Sequence, residues 1–215
     1  PFQGHMSNFS PPPGEGHAVY DQAYTRYQVQ RSAFRRFIRK MYIRQAARLS
    51  RGPALDFGCG IGELLRALPE GSLGVEYNET TVQYCQQQGL DVRWYNGFDD
   101  DWTLSSVDWK GRVRTLFLSH VLEHFDQPAE ILRKLLLATE PDITRAVIVV
   151  PGRAGFKMDP THRTYVDLDV IRKAMGDQSR WRLVHTSYFP FNLRWVGNVF
   201  AYNELHVVLE RSSGT

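Results

Sequence analysis

The stretch Ala54-Leu55-Asp56-Phe57-Gly58-Cys59-Gly60-Ile61-Gly62-Glu63 joins a short apolar run to a helical period through three alternate glycines. Glycines in such a bend let the backbone turn tightly and approach a ligand closely. In an open α/β sheet, ligands bind beyond the carboxyl ends of the strands. The spacing departs from the dinucleotide fingerprint G-x-G-x-x-G, because Glu63 stands where a count begun at Gly58 needs its last glycine. Asp56, the acid at the head of the loop, is badly placed for a pyrophosphate, which favours bare helix N–H groups and positive potential. It suits the cationic end of a ligand instead. A second acid, Glu76, lies at the tip of the next apolar run, Leu73 to Tyr77. A carboxylate there accepts hydrogen bonds from both hydroxyls of a ribose, and Tyr77 can lie against an adenine face. Gly97 and Phe98, within Asn96-Gly97-Phe98-Asp99, follow the third apolar run, where a loop can cover the other adenine face.

A second set of polar residues could move protons. Ser119-His120-Val121-Leu122-Glu123-His124 follows the fourth apolar run and places His120 and His124 four residues apart. Asp159-Pro160-Thr161-His162-Arg163-Thr164-Tyr165 follows the fifth, in a polar loop that can fold over the sheet edge as a lid or substrate-binding element. Imidazole and carboxylate groups are the usual general bases. His162 and His120 are therefore the candidate catalytic residues, with His124, Asp159, Arg163 and Tyr165 as candidate substrate contacts. Glu123, Asp159 and His162 show no recognisable metal-ligand spacing, so no metal is expected.

These residues need a scaffold, and the apolar periods supply one. Strand-like runs fall at Ala54–Phe57, Leu73–Tyr77, Val92–Tyr95, Val113–Ser119 and Ala146–Val150. Helical periods fall at Ile61–Leu68, Thr80–Gln88, Pro128–Thr139 and Asp167–Met175. Strands alternating with helices predict βαβ units around a parallel sheet. Arg182–Tyr188 and Leu205–Glu210 read as two last strands without a clear helix between them, able to pair antiparallel at one edge. Upstream, Tyr20, Tyr24, Tyr27, Phe34, Ile38 and Met41 recur at helical steps, and Gly52-Pro53 ends that period.

The chain has 215 residues, 42% hydrophobic and 23% charged, which suits one globular domain with a real core. Two cysteines, Cys59 and Cys85, are no disulfide framework, and a reducing, cytoplasmic setting is expected. No apolar run approaches the ~20 residues that span a bilayer. Residues 1–6, PFQGHM, look like the remnant of a cleaved expression tag, and with the proline-rich stretch to residue 19 they are expected to form a flexible arm. Residues 20–51 are expected to form a helical cap and residues 52–212 the main domain. The net charge of +3 is uneven: Arg26, Arg31, Arg35, Arg36, Arg39, Lys40, Arg44, Arg48 and Arg51 face a single acid, Asp21, between Tyr20 and Arg51. That basic stripe is either a solvated helix face or a contact for an anionic partner such as RNA.

Asp56-Phe57-Gly58-Cys59-Gly60-Ile61-Gly62, Glu76 and Ser119–His124 resemble the first motif, the acidic second motif and the motif after the fourth strand of class I S-adenosylmethionine-dependent methyltransferases. The likeness runs over residues 54–210 in strand and helix order. Ala54–Asp91 is also similar to bacterial MetW-like proteins, a similarity that fades after Asn96. The family resemblance implies a Rossmann-like, seven-stranded mixed sheet with its last strand pair antiparallel, helices on both faces and an N-terminal helical cap. It implies S-adenosylmethionine as cofactor and S-adenosylhomocysteine as product. Asp56, Gly58, Cys59, Gly60, Glu76, Tyr77, Gly97, Phe98, Ser119 and His120 would line that cofactor. The expected activity is methyl transfer to a small polar acceptor, a saccharide or natural-product hydroxyl, by a monomer or homodimer. The alternatives are an RNA or protein methyltransferase using the basic helix, and a non-catalytic S-adenosylmethionine-binding regulator.

Overall fold

In a computed structural model, the described residues are 33–176, 180–190, 200 and 202–212. The proposed arm and the first part of the cap, with Tyr20, Tyr24 and Tyr27, lie outside them. Strands β1 (Ala54–Phe57), β2 (Leu73–Glu76), β3 (Val92–Trp94), β4 (Thr115–Ser119), β5 (Arg145–Pro151), β6 (Trp181–Phe189) and β7 (Glu204–Arg211) form one sheet in the order β3-β2-β1-β4-β5-β7-β6. β1 to β5 run parallel, while β7 is antiparallel to both of its neighbours. The expected seven-stranded mixed sheet is therefore present, with β6 at the edge and β7 inserted beside β5.

The central strands are buried along nearly their whole length because both faces of the sheet are covered. On one face Leu55, Phe57, Leu116, Leu118 and Ile148 pack with Leu132 and Leu135 of α3 (Pro128–Ala138) and Ile171 of α5 (Leu168–Met175). On the other, Ala54, Phe117, Val147 and Val149 pack with Tyr42, Ile43 and Ala46 of α1 (Ala33–Ala47) and Val82 and Cys85 of α2 (Glu79–Gln87). Side-chain caps start two of these helices. Asn78 accepts from the N–H groups of Thr80 and Thr81, and Asp167 from those of Asp169 and Val170.

Two local expectations need correcting. Ile61–Leu68 forms no α-helix, only a 3-10 turn at Leu65–Ala67. Gly62 has φ +74°, outside the right-handed helical region, and Pro69 has no N–H to extend the turn. Downstream, a short helix α4 (Arg153–Met158) precedes the Asp159–Tyr165 loop, where only loop was expected.

Candidate active site

The glycine loop leaves the carboxyl end of β1 with its amides tied to β2. Gly58 and Cys59 donate to the Val75 carbonyl at 2.9 and 3.1 Å, and Gly60 N–H donates to Glu76 Oε2 at 2.9 Å. Glu76 Oε1 accepts from Asn78 N–H at 3.0 Å. A carboxylate has about four lone-pair sites, so Glu76 keeps acceptor capacity on each oxygen. Burial pushes its pKa up, against the bonds from the Asn78, Gly60 and Tyr77 backbone. Gly58 has φ +69°, and a Cβ there would sit 2.7 Å from Val121 Cγ2. Only glycine fits both the conformation and the space. Beneath the loop, the Cys85 thiol donates to the Gly60 carbonyl at 3.3 Å, and Cys59 is buried beside it.

Asp56 is 1% exposed, and its Oδ2 has no hydrogen-bond partner among the described residues. Burial and the nearby Glu76 push its pKa up to about 8, against the pull of Arg39. A buried acid with an unpaired oxygen is costly unless a cation or donor meets it. This orphaned oxygen is the observation that makes the loop fit a ligand with a positive end.

α1 closes over the same region. Arg39 bonds Glu63 and the Tyr42 hydroxyl, and the Tyr42 ring lies 6.0 Å from that of His120. The basic stripe is thus not uniform: Arg39 turns inward while Lys40, Arg44 and Arg48 remain exposed. On the far side of the loop, Phe98 is 65% exposed and packs edge-on against Trp102 at 5.1 Å. A Cβ on Gly97 would come within 2.3 Å of the Trp102 ring, which fixes glycine there. Tyr77 is half-buried, and its carbonyl accepts from the Trp94 indole at 2.8 Å.

The carboxyl end of β4 carries Ser119 and then His120, whose φ of +57° is uncommon outside glycine. His120 Nε2 lies 2.9 Å from Glu204 Oε1, and its Nδ1 lies 3.2 Å from Glu123 Oε1. Burial disfavours a charged imidazole, but Glu204 and Glu123 outweigh it and push the His120 pKa up to about 10. The same pairing draws Glu204 down to about 2, against its own burial. At neutral pH His120 is an imidazolium, a donor and not a base.

The Asp159–Tyr165 loop docks on this edge through backbone bonds. Arg163 and Thr164 N–H groups donate to the Glu123 carbonyl at 2.8 and 3.2 Å. That docking sets the His162 and His124 rings edge to face, 4.9 Å apart, with Phe156 stacked on His162 at 5.3 Å. His162 Nδ1 lies 2.9 Å from the Phe156 carbonyl, which only accepts, so Nδ1 carries the proton and Nε2 the lone pair. That Nε2 is 3.9 Å from both Glu123 Oε1 and Asp159 Oδ2. Thr161 donates to Asp159 Oδ1 at 2.6 Å and accepts from His124 Nδ1 at 3.2 Å, leaving His124 Nε2 as its open nitrogen.

The structure brings His120, His124 and His162 around Glu123, with Asp159 beside His162. Arg163 pairs with Asp126 at 2.7 Å on the surface, and Tyr165 packs under Arg153 and against Phe156. The sequence reading placed Arg39 only in the basic stripe and gave no part to Tyr42 or Glu204. Glu204 and His206 are two buried polar residues in the otherwise apolar start of β7, a signal that was available.

Residues 27–210 match the family model described as a methyltransferase domain. No curated protein sequence matches the chain. Among solved structures, a SAM-dependent methyltransferase from Archaeoglobus fulgidus is similar at TM-score 0.63 and 20% identity, over 89% of this chain and 100% of that one. Magnesium protoporphyrin IX methyltransferase (ChlM) from Synechocystis PCC 6803 with bound SAH is similar at TM-score 0.61 and 16% identity, over 88% and 94%. Geranyl diphosphate C-methyltransferase from Streptomyces coelicolor A3(2), in complex with Mg2+, geranyl diphosphate and S-adenosyl-L-homocysteine, is similar at TM-score 0.58 and 12% identity, over 91% and 85%. Among the described residues no helix is long and apolar enough to cross a membrane. With the sheet order, the glycine loop and a family match over most of its length, the chain belongs to the methyltransferase-domain family, on the class I fold whose cofactor is S-adenosylmethionine.

Proposed function

We propose that the chain transfers the methyl group of S-adenosylmethionine to an oxygen of a small polar acceptor, a hydroxyl of a saccharide or natural product. The cofactor supplies an electrophilic methyl on a sulfonium that is already a good leaving system. Asp56 receives its cationic methionine end, and Arg39, on the cap helix above, suits the methionine carboxylate. Glu76 accepts from the ribose hydroxyls with its remaining lone pairs. Tyr77 and Phe98 take the two faces of the adenine, with Gly97 letting the loop come close. Gly58, Cys59, Gly60 and Ser119 line the cleft through their backbones.

The acceptor meets the histidine edge. His120, held as an imidazolium, donates a hydrogen bond and anchors an acceptor oxygen. His162 acts as the base or as a second anchor. The observation that carries this reading is the tautomer of His162: the Phe156 carbonyl at 2.9 Å accepts a hydrogen bond from Nδ1–H and leaves Nε2 able to accept a proton. Its side chain is 7% exposed, so water competes poorly for that lone pair.

The test is methyl transfer from isotopically labelled S-adenosylmethionine to a panel of saccharide and phenolic hydroxyls, read by mass spectrometry of both products. His162→Ala is expected to lower turnover by about 100-fold or more, the usual worth of a positioned acid–base group, with cofactor affinity unchanged. Turnover equal to wild type with the true acceptor would remove His162 from the reaction, and a product methylated at carbon or nitrogen would overturn the oxygen assignment.

A further inference from the structure

We propose that Glu123, His124 and His162 form a binding site for one divalent transition-metal ion, of which Zn2+ is the type. Their ligand atoms all lie within 4.8 Å of one another. Glu123 Oε1 and His162 Nε2 are 3.9 Å apart. Metal–ligand distances of about 2.1 Å put tetrahedral ligands roughly 3.4 Å apart, so the side chains need to close by only about 0.5 Å in that pair. Each histidine uses Nδ1 on a backbone carbonyl or a hydroxyl, which leaves Nε2 as its open nitrogen. Metal-binding histidines nearly always donate their other ring N–H in this way, which fixes tautomer and ring orientation.

Glu123 supplies the independent observation. It is 0% exposed, and among the described residues neither of its carboxylate oxygens has a well-formed hydrogen bond. Among the described residues, the ring nitrogens within ion-pair distance of it are His120 Nδ1 at 3.2 Å and His162 Nε2 at 3.9 Å, and His120 is shared with Glu204. A buried carboxylate in that condition is held at a cost that a bound cation removes. Asp159 Oδ2, 3.9 Å from His162 Nε2, is within reach as a further oxygen ligand.

The donor set selects the ion. Two imidazole nitrogens and one carboxylate suit Zn2+ or Fe2+, whereas Mg2+ and Ca2+ favour oxygen. With Asp159 outside the coordination shell, the three protein ligands leave a position open, the pattern of catalytic and not structural zinc sites. An acceptor oxygen in that position would be oriented and made more acidic, with His162 then holding the ion in place of the proton. This last role rests on the acceptor edge proposed above; the binding itself does not. The chain order concealed the cluster, because Glu123 and His124 follow β4 while His162 arrives on the loop after α4.

The experiment uses the full chain, stripped of metal by chelator and dialysed. Zn2+ is titrated by calorimetry, and Co2+ is titrated as a spectroscopic probe of the ligand field. One equivalent is expected, with visible Co2+ bands of a nitrogen–oxygen site. Loss of an outer-shell partner costs metal affinity about 10–100-fold, so His124→Ala, His162→Ala and Glu123→Gln are each expected to weaken Zn2+ by about 100-fold or more. His185→Ala, at an exposed histidine on β6, is expected to leave it unchanged. Circular dichroism checks each variant's fold, and His162→Ala carries the test should Glu123→Gln fail to fold. Wild-type chain that takes up no ion, or affinity unaltered in the three ligand variants, overturns the site. Cofactor affinity is measured on the metal-free chain, so its absence would count against the proposed function and not against the metal.

Discussion

Asp56, buried, and Glu76, half-buried, are two acids flanking the glycine loop, and their environments set them apart. Asp56 has an unpaired oxygen and a pKa of about 8, so it is largely protonated near neutral pH. A cationic ligand end favours the carboxylate, so cofactor binding should release a proton below about pH 8. Calorimetry at pH 7 in buffers of different ionisation enthalpy is expected to show that release in wild type and to lose it in Asp56→Asn. Equal proton counts in both chains would separate Asp56 from the cofactor. Glu76 already accepts from two backbone N–H groups, so its removal also loosens the loop. Glu76→Ala is expected to weaken S-adenosylmethionine by roughly 1–3 kcal/mol through lost charge-assisted bonds, and unchanged affinity in the same calorimeter would refute its role.

At the scale of elements, the site is a junction of two loops and a helix on the carboxyl edge of the sheet. The glycine loop holds its shape because Gly58 lies at φ +69° with no room for a side chain beside Val121. A side chain at such a conformation costs about 1–2 kcal/mol, and the contact adds to it. Gly58→Ala is expected to lower unfolding free energy by at least that amount and to weaken cofactor binding. Gly111 offers the control, with φ +72° and nothing within 4 Å of an added Cβ. Gly111→Ala is expected to show the strain alone in urea unfolding, with cofactor affinity intact. Expectation and structure part at Ile61–Leu68, where the apolar period is genuine but a positive-φ glycine and Pro69 leave room for a single 3-10 turn. Periodicity reports which side chains face the core, and here Ile61, Leu64 and Leu65 are buried without an α-helix.

Across the whole molecule, the reversed β7 is what completes the histidine edge. Its antiparallel register pairs Glu204 with Pro151, so its first residue lands where the parallel strands end, 2.9 Å from His120. The pair makes stability depend on pH. His120 is raised from 6.5 to about 10 on folding, so its contribution is complete below pH 6.5 and is lost as pH rises through about 10. Glu204 is lowered from 4.5 to about 2, so the same interaction is present above pH 4.5 and lost as pH falls through about 2. Asp56 is raised from 3.8 to about 8, which also lowers stability as pH climbs through that range. Glu204→Gln is therefore expected to be less stable than wild type at pH 6 and to approach it by pH 10, as measured by urea unfolding. A constant difference between the two chains would place the effect in packing instead.

The sequence by itself determined the alternation of strands and helices, the glycine loop with its two acids, and the antiparallel tail. Those follow from short-range rules: apolar period, the conformations open to glycine, and the acid at a strand tip. Only the tertiary structure decided that Arg39 turns in to Glu63, that Glu204 holds His120 charged, and that His162 meets Glu123 and His124. Each of these contacts joins segments far apart in the chain, and whether a polar side chain is solvated, paired or stranded depends on what the packing brings to it.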